Sequence, residues 1–135
     1  MASSELNALL KSWLAGRERQ FTLFEDNDEI DLRRNEQHLL LSVQLTHQHL
    51  NKASLELWMR LAQSSLKHFQ GALAAAPTNG HLWLLQRLPG QCTQDHLLAS
   101  LETLLNQRDT WRATIERLAR PGMKLNPTSL RAQPQ

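Results

Sequence analysis

The sequence predicts an α+β fold with the element order α-β-β-β-α-β-β-α, a twisted antiparallel sheet packed on helices. Three observations carry this. The run HLLLSVQLT alternates in the period-2 manner of a half-buried strand. Leucines recur at helical spacing near the start, in the middle and towards the end of the chain. Residues 71–88, GALAAAPTNGHLWLLQRL, set two runs of small and apolar residues around Asn79-Gly80, the dipeptide suited to a two-residue type I′ hairpin turn.

Leu6, Leu9, Leu10, Trp13 and Leu14 mark a first amphipathic helix, with Ser3 or Ser4 as N-cap and Gly16 as the stop. The period then changes to two: Phe21 and Leu23 alternate with polar partners, as do Ile30 and Leu32, and EDND between them is turn chemistry. The third strand turns Leu39, Leu41, Val43 and Leu45 to the core and His38, Leu40, Ser42, Gln44 and Thr46 to a mostly wet face. Short polar turns join the three into a meander.

Asn51 is the N-cap expected of a second helix reaching Phe69, with Leu55, Trp58, Met59, Ala62, Leu66 and Phe69 as its core stripe. Leu57 and Leu61 fall off that stripe and either form a second, smaller contact face or widen the core stripe. In the following hairpin Leu82, Leu84, Gln86 and Leu88 face one way and His81, Trp83, Leu85 and Arg87 the other. Neither row is reliably polar, so both faces are expected to be covered. Pro89-Gly90 ends the strand, and Thr93 caps a last helix whose buried face is Leu97, Leu98, Leu101, Leu104, Leu105, Trp111, Ile115 and Leu118. Residues 1–120 read as a single domain and 121–135, rich in Pro, Asn, Gln and Ser, as a flexible tail.

The 135 residues suffice for a core without disulfides or metal. Cys92 is the single cysteine, which fits a reducing compartment. MASSELNALLKSWLAGRER has no basic region ahead of its apolar residues and no run approaches a membrane span, so a soluble, cytoplasmic protein is expected. The formal charge is +2, from 15 Lys and Arg against 13 Asp and Glu. It is unevenly spread: Glu25, Asp26, Asp28, Glu29, Asp31 and Glu36 crowd one early segment, and Arg108, Arg112, Arg117, Arg120, Lys124 and Arg131 crowd the end.

Enzymatic chemistry finds no support. His47 and His49 lack a third ligand at metal-binding spacing, and there is no His-Glu-x-x-His, Gly-x-Ser-x-Gly or Gly-rich phosphate loop. Cys92 has no base paired with it by any sequence signal and reads as an incidental thiol. No catalytic residue, metal or cofactor is expected. Arg108, Arg112, Arg117 and Arg120 would be the means of a nucleic-acid-binding regulator, but Glu102, Asp109 and Glu116 lie among them, as on a solvated, salt-bridged helix face. What survives is surface apolarity: Trp83, Leu85, Leu57 and Leu61 are contact residues without an intrachain partner, the signature of a protein–protein interface.

The helix, meander, helix, hairpin carrying HLWLLQRL and closing helix ending LLNQRDTWRATIERL resemble the class I chaperones of bacterial type III secretion, the CesT-like family, over roughly residues 4 to 120. The resemblance implies a non-enzymatic cytoplasmic homodimer that holds the amino-terminal region of a secreted effector in an extended, secretion-competent form. It implies dimer contacts through Leu57, Trp58, Leu61, Trp83 and Leu85. It places client contacts on Leu6, Trp13, Phe21, Leu23, Leu32 and Leu40. Family members tend to be acidic whereas this chain is mildly basic, so a regulatory protein of the secretion system, such as a transcriptional regulator or anti-activator to be sequestered, is the alternative client. An Arg-bearing last helix would suit an acidic partner.

Overall fold

The computed structural model describes residues 3–65 and 71–119. Leu66 and Phe69 of the expected middle-helix stripe, Arg120 and the expected tail lie outside the described residues. The elements are α1 (Ser3–Ala15), β1 (Gln20–Glu25), β2 (Asp28–Arg34), β3 (His38–Gln44), α2 (Lys52–Ser65), β4 (Ala72–Ala75), β5 (Leu82–Pro89) and α3 (Gln94–Ala119). This is the order the sequence predicts. The strands form one antiparallel sheet, β1-β2-β3-β5-β4.

Register explains which face is covered. Phe21↔Leu32, Leu23↔Ile30, Leu32↔Leu41, Ile30↔Val43, Leu39↔Leu88 and Val43↔Leu84 set their side chains on the same face of the sheet. Ile30, Leu32, Leu39, Leu41, Val43 and Leu84 are wholly buried there against Leu10, Leu97, Leu101 and Leu104 from the helices. α1 packs on α3, and α3 on β3 and β5. Each fully buried leucine is worth about 1.5–3 kcal/mol of apolar transfer, so this face drives folding.

Local signals hold the ends. Asn51 Oδ1 accepts from Ser54 N at 2.8 Å, and Thr93 Oγ1 from His96 N at 3.1 Å, so both expected N-caps are in place. Gly16 ends α1, where Arg34 from β2 reaches the carbonyls of Leu14, Gly16 and Glu18 while its guanidinium lies 4.5 Å over the Trp13 ring. Gly90 lets β5 close on the β2–β3 turn, since a Cβ there would sit 2.9 Å from Gln37 O.

Four expectations are corrected. The β4–β5 connection is not a two-residue turn: Ala76 N donates to His81 O, Gly80 N donates to Ala76 O, and Gly80 (φ +71°) is the one left-handed residue in the loop. The two-residue turn sits instead at Asp26-Asn27, between the Glu25↔Asp28 pair, with Asp26 at φ +56°. On α2 the buried stripe is Trp58 and Ala62 with Ser54 and Ser65 beside them, rotated by roughly 60° from the expected one at 100° per residue. Leu55 and Met59 are therefore 38% and 53% exposed, and Leu61 packs against the core. Leu118, expected inside, is 50% exposed near the end of α3. Finally, Ser42, Gln44 and Thr46 are not wet. Gln44 Oε1 accepts from Glu29 N, its Nε2 donates to Thr46 O, and Thr46 Oγ1 accepts from Leu82 N. These bonds satisfy the buried polar groups beside β3. Among the described residues no helix is long and apolar enough to cross a membrane.

Candidate protein-binding surface

The face of the sheet turned away from the core is read in rows from the same registers. Arg33, Leu40 and Arg87 make one row, Thr22, Asp31, Ser42, Leu85 and Ala72 the next, and Gln44, Trp83 and Ala74 a third. The β5–β4 half of this face is apolar: Trp83, Leu85, Ala72 and Ala74 form a strip that the helices do not cover. Trp83 Nε1 is buried with no hydrogen-bond acceptor among the described residues, a donor whose desolvation is uncompensated. A groove of about 440 Å³ runs here between the hairpin loop and Glu29, over Ser42, with Trp83 and Leu85 on its apolar side. A sheet face of this composition gains free energy when another surface excludes its water.

The residues singled out from the sequence divide as follows. Trp83 and Leu85 are half-buried on the outer face, as alternation indicates. Leu57 and Leu61 are half-buried on α2, which packs against α3, whereas Trp58 is 6% exposed and turned into the core. Trp58 therefore leaves little surface for a second chain. Among the client candidates Leu6, Trp13 and Leu32 are likewise core residues, because α1 lays its apolar stripe on α3 and Leu32 is enclosed between Phe21 and Leu41. Phe21, stacked on Trp13 at 6.3 Å between centroids, and Leu23 stay half-exposed on edge strand β1, facing the helix side. Leu40 is half-exposed on the outer face. The structure thus brings Leu40 beside Leu85 but does not join them with Phe21 and Leu23. Phe24, 64% exposed on the outer side of β1, was not singled out from the sequence. Neither was the flanking of Leu40 by Arg33 and Arg87, although pairing the strands by their alternation would have revealed it.

The charges found at opposite ends of the sequence meet in space. Arg108 donates to Glu25 Oε1 at 2.6 Å and to Asp109 Oδ1, and its Nη1 lies 3.0 Å from Asp28 Oδ2, an ion pair not aligned as a hydrogen bond. Arg112 donates to both Asp28 oxygens and to the carbonyls of Leu45 and Gln44. His47 Nε2 also donates to Asp28 Oδ1. Burial alone would raise the Asp28 pKa, but hydrogen bonds from Arg112 and His47 and the charges of Arg112 and Arg108 outweigh it and hold the carboxyl below its ordinary value. Burial pushes the Arg108 guanidinium down, and Glu25 and Asp109 more than restore it. The last helix is accordingly not a free basic face: Arg108 and Arg112 are consumed within the chain, and Arg117 is the exposed arginine among its described residues. The reading of α3 as a nucleic-acid or acidic-partner surface loses its main residues.

His47 and His49 part company, His49 Nδ1 lying 3.3 Å from Asn79 O, and no group of three or more His, Cys, Asp or Glu among the described residues could hold a metal. Cys92 is half-buried and its thiol is pushed up by that burial, the opposite of an activated nucleophile.

The family model of the Tir chaperone protein (CesT) family matches residues 16–112. No curated protein matches the sequence. Among solved structures the chain is similar to one of the ExsC–ExsE complex, at 16% identity and a TM-score of 0.63, over 84% of this chain and 96% of that one. It is also similar to one of the HopA1–SchA chaperone–effector complex, at 16% identity and a TM-score of 0.59, over 84% of this chain and 98% of that one. These likenesses are of fold. Since the family match runs from the end of α1 to within α3 and takes in the whole sheet, the chain belongs to the Tir chaperone protein (CesT) family of type III secretion chaperones.

Proposed function

We propose that the chain is a non-enzymatic chaperone of the bacterial cytoplasm that acts as a homodimer and, without a cofactor, holds an extended segment of a partner protein in a secretion-competent state. The observation that carries this reading is the half-exposed apolar strip of Trp83, Leu85, Ala72 and Ala74 on the sheet face turned away from the core, on a fold of this family. In the dimer a second copy covers Trp83 and Leu85, and the half-buried Leu57 and Leu61 of α2 lie at the margin of the contact. The partner is a secreted effector, as in the chaperone–effector complex the fold matches, or a regulatory protein of the secretion system. One stretch of it pairs with the open edge of β1 beside Phe21 and Leu23, and another stretch meets Leu40 on the outer face.

Affinity purification of the full-length protein from its native cells, with mass identification of what is retained and light scattering of the purified chain, tests the reading. A secreted or secretion-regulating protein in stoichiometric amount and a dimer are expected. A monomer at micromolar concentration with no such protein retained overturns it.

A further inference from the structure

We propose that the row Arg33, Leu40 and Arg87 on the outer sheet face is a docking groove for an acidic extended peptide segment, with carboxylates meeting the two arginines on either side of an apolar side chain seated on Leu40. The inference rests on the chaperone reading above and names the chemistry of the segment held. Arg33↔Leu40 and Leu40↔Arg87 are direct cross-strand pairs, so the three side chains project side by side from β2, β3 and β5. Two strand spacings separate the arginine backbones by roughly 10 Å. Residues i, i+2 and i+4 of an extended peptide share a face, so an acid at i, an apolar residue at i+2 and an acid at i+4 present charge to the two arginines and a side chain to the leucine between them.

The groove, about 430 Å³, is lined also by Arg34, Asn35 and His38, and no carboxylate is among its lining residues. Asp31, the nearest acid in register, is already filled. Its Oδ1 accepts from Gln20 and Thr22, and its Oδ2 takes Arg33 Nε at 2.8 Å. That bond uses one of five guanidinium N–H groups and fixes the direction of the rest. Arg87 is exposed and makes no hydrogen bond or ion pair among the described residues. The contrast with Arg108 and Arg112, which are neutralised by Glu25 and Asp28, is the core of the case. Arg108 and Arg112 are thus spent within the chain, whereas Arg33 and Arg87 on the sheet keep guanidinium N–H groups for a partner. A half-exposed leucine between the arginines favours a peptide over a phosphate backbone, which has no apolar side chain to seat there.

Fluorescence anisotropy on the full-length protein tests this with three probes. One is a short fluorescein-labelled peptide of the pattern Asp-Ser-Leu-Ser-Glu, the second carries Lys for each acid, and the third is a short oligothymidylate. The acidic peptide should bind at least about tenfold tighter than its lysine counterpart, and Arg33→Glu with Arg87→Glu should weaken it by about tenfold or more. Arg87→Glu alone, which breaks no bond within the chain, should give part of that loss with unchanged circular dichroism. Equal binding of the two peptides, no effect of Arg87→Glu, or oligothymidylate binding as tightly and with the same dependence on both arginines overturns the proposal. The two readings fail separately. A partner retained as well by the double variant as by the parent removes the groove and leaves the chaperone. Groove-dependent peptide binding by a monomer that retains no partner removes the chaperone reading and leaves the groove.

Discussion

Arg112 on α3 clasps Asp28 at the start of β2 with two hydrogen bonds of 2.8 Å, one to each carboxylate oxygen, joining residues 84 positions apart. Arg108 one turn earlier reaches the same carboxylate and Glu25, so a single acid turn locks the long helix to the edge of the sheet. A paired charge this enclosed contributes modestly in net terms, but removing one partner strands the others.

Asp28→Asn should therefore cost about 3–5 kcal/mol near neutral pH, because Arg108 and Arg112 lose their shared counter-charge. The pH dependence follows from the depressed carboxyl. The native state holds Asp28 ionised below its ordinary value of 3.8, so its contribution is complete above that value and is lost as pH falls through the folded pKa. Urea unfolding between about pH 6 and about pH 3 should show the gap between parent and variant narrowing as the medium becomes acid. A gap that stays constant would show that the ionised carboxylate is not what matters.

Arg108→Ala should lose about 3–5 kcal/mol and Arg117→Ala less than about 0.5 kcal/mol, since one is buried among three carboxylates and the other is exposed near the helix end. Denaturant midpoints of the two variants check this directly. Equal effects would mean that the last helix is a solvated basic face after all.

Trp83→Glu with Leu85→Glu should leave the monomer folded and divide a dimer built on the outer strip. The two side chains face away from the core while Leu82, Leu84 and Leu88 of the same strand hold it in the sheet. Light scattering reads the mass and circular dichroism the fold. A well-folded dimer in the double variant would place the contact elsewhere, with the exposed Leu55 and Met59 on α2 the next residues to change.

These outcomes bear on what a sequence reveals. The strands, the two N-caps and the core rows of β3 and β5 were legible because each depends on neighbours within a few residues. The rotation of α2 was not, since Leu55, Leu57, Met59 and Leu61 leave that helix apolar on several sides and only α3 decides which side is inside. Leu6, Trp13 and Leu32 were grouped with the surface candidates for a similar reason: periodicity identifies an apolar face but not what covers it. The charge asymmetry between Glu25–Asp28 and Arg108–Arg112 was visible in one dimension as polarity and becomes neutralisation in three. On the surface, alternation alone placed Trp83 and Leu85, whereas the Arg33–Leu40–Arg87 row needed the register of three strands.

The hairpin loop gives a last test, because the two turn geometries make opposite demands on Asn79. In a two-residue type I′ turn both Asn79 and Gly80 would be left-handed, and Asn79→Gly would be tolerated or favourable. In this structure Gly80 alone is left-handed, and Asn79 instead accepts from His81 N through Oδ1 at 2.9 Å, which Gly could not do. Gly80→Ala should cost about 1–2 kcal/mol for the left-handed backbone, and its new Cβ would press at 3.0 Å on His49 Nδ1. Asn79→Gly should cost roughly 0.5–1 kcal/mol from the lost bond and the added chain entropy. Thermal unfolding of both variants measures the pair. If Asn79→Gly raises the midpoint, the loop closes on two residues rather than on the Ala76–His81 pair.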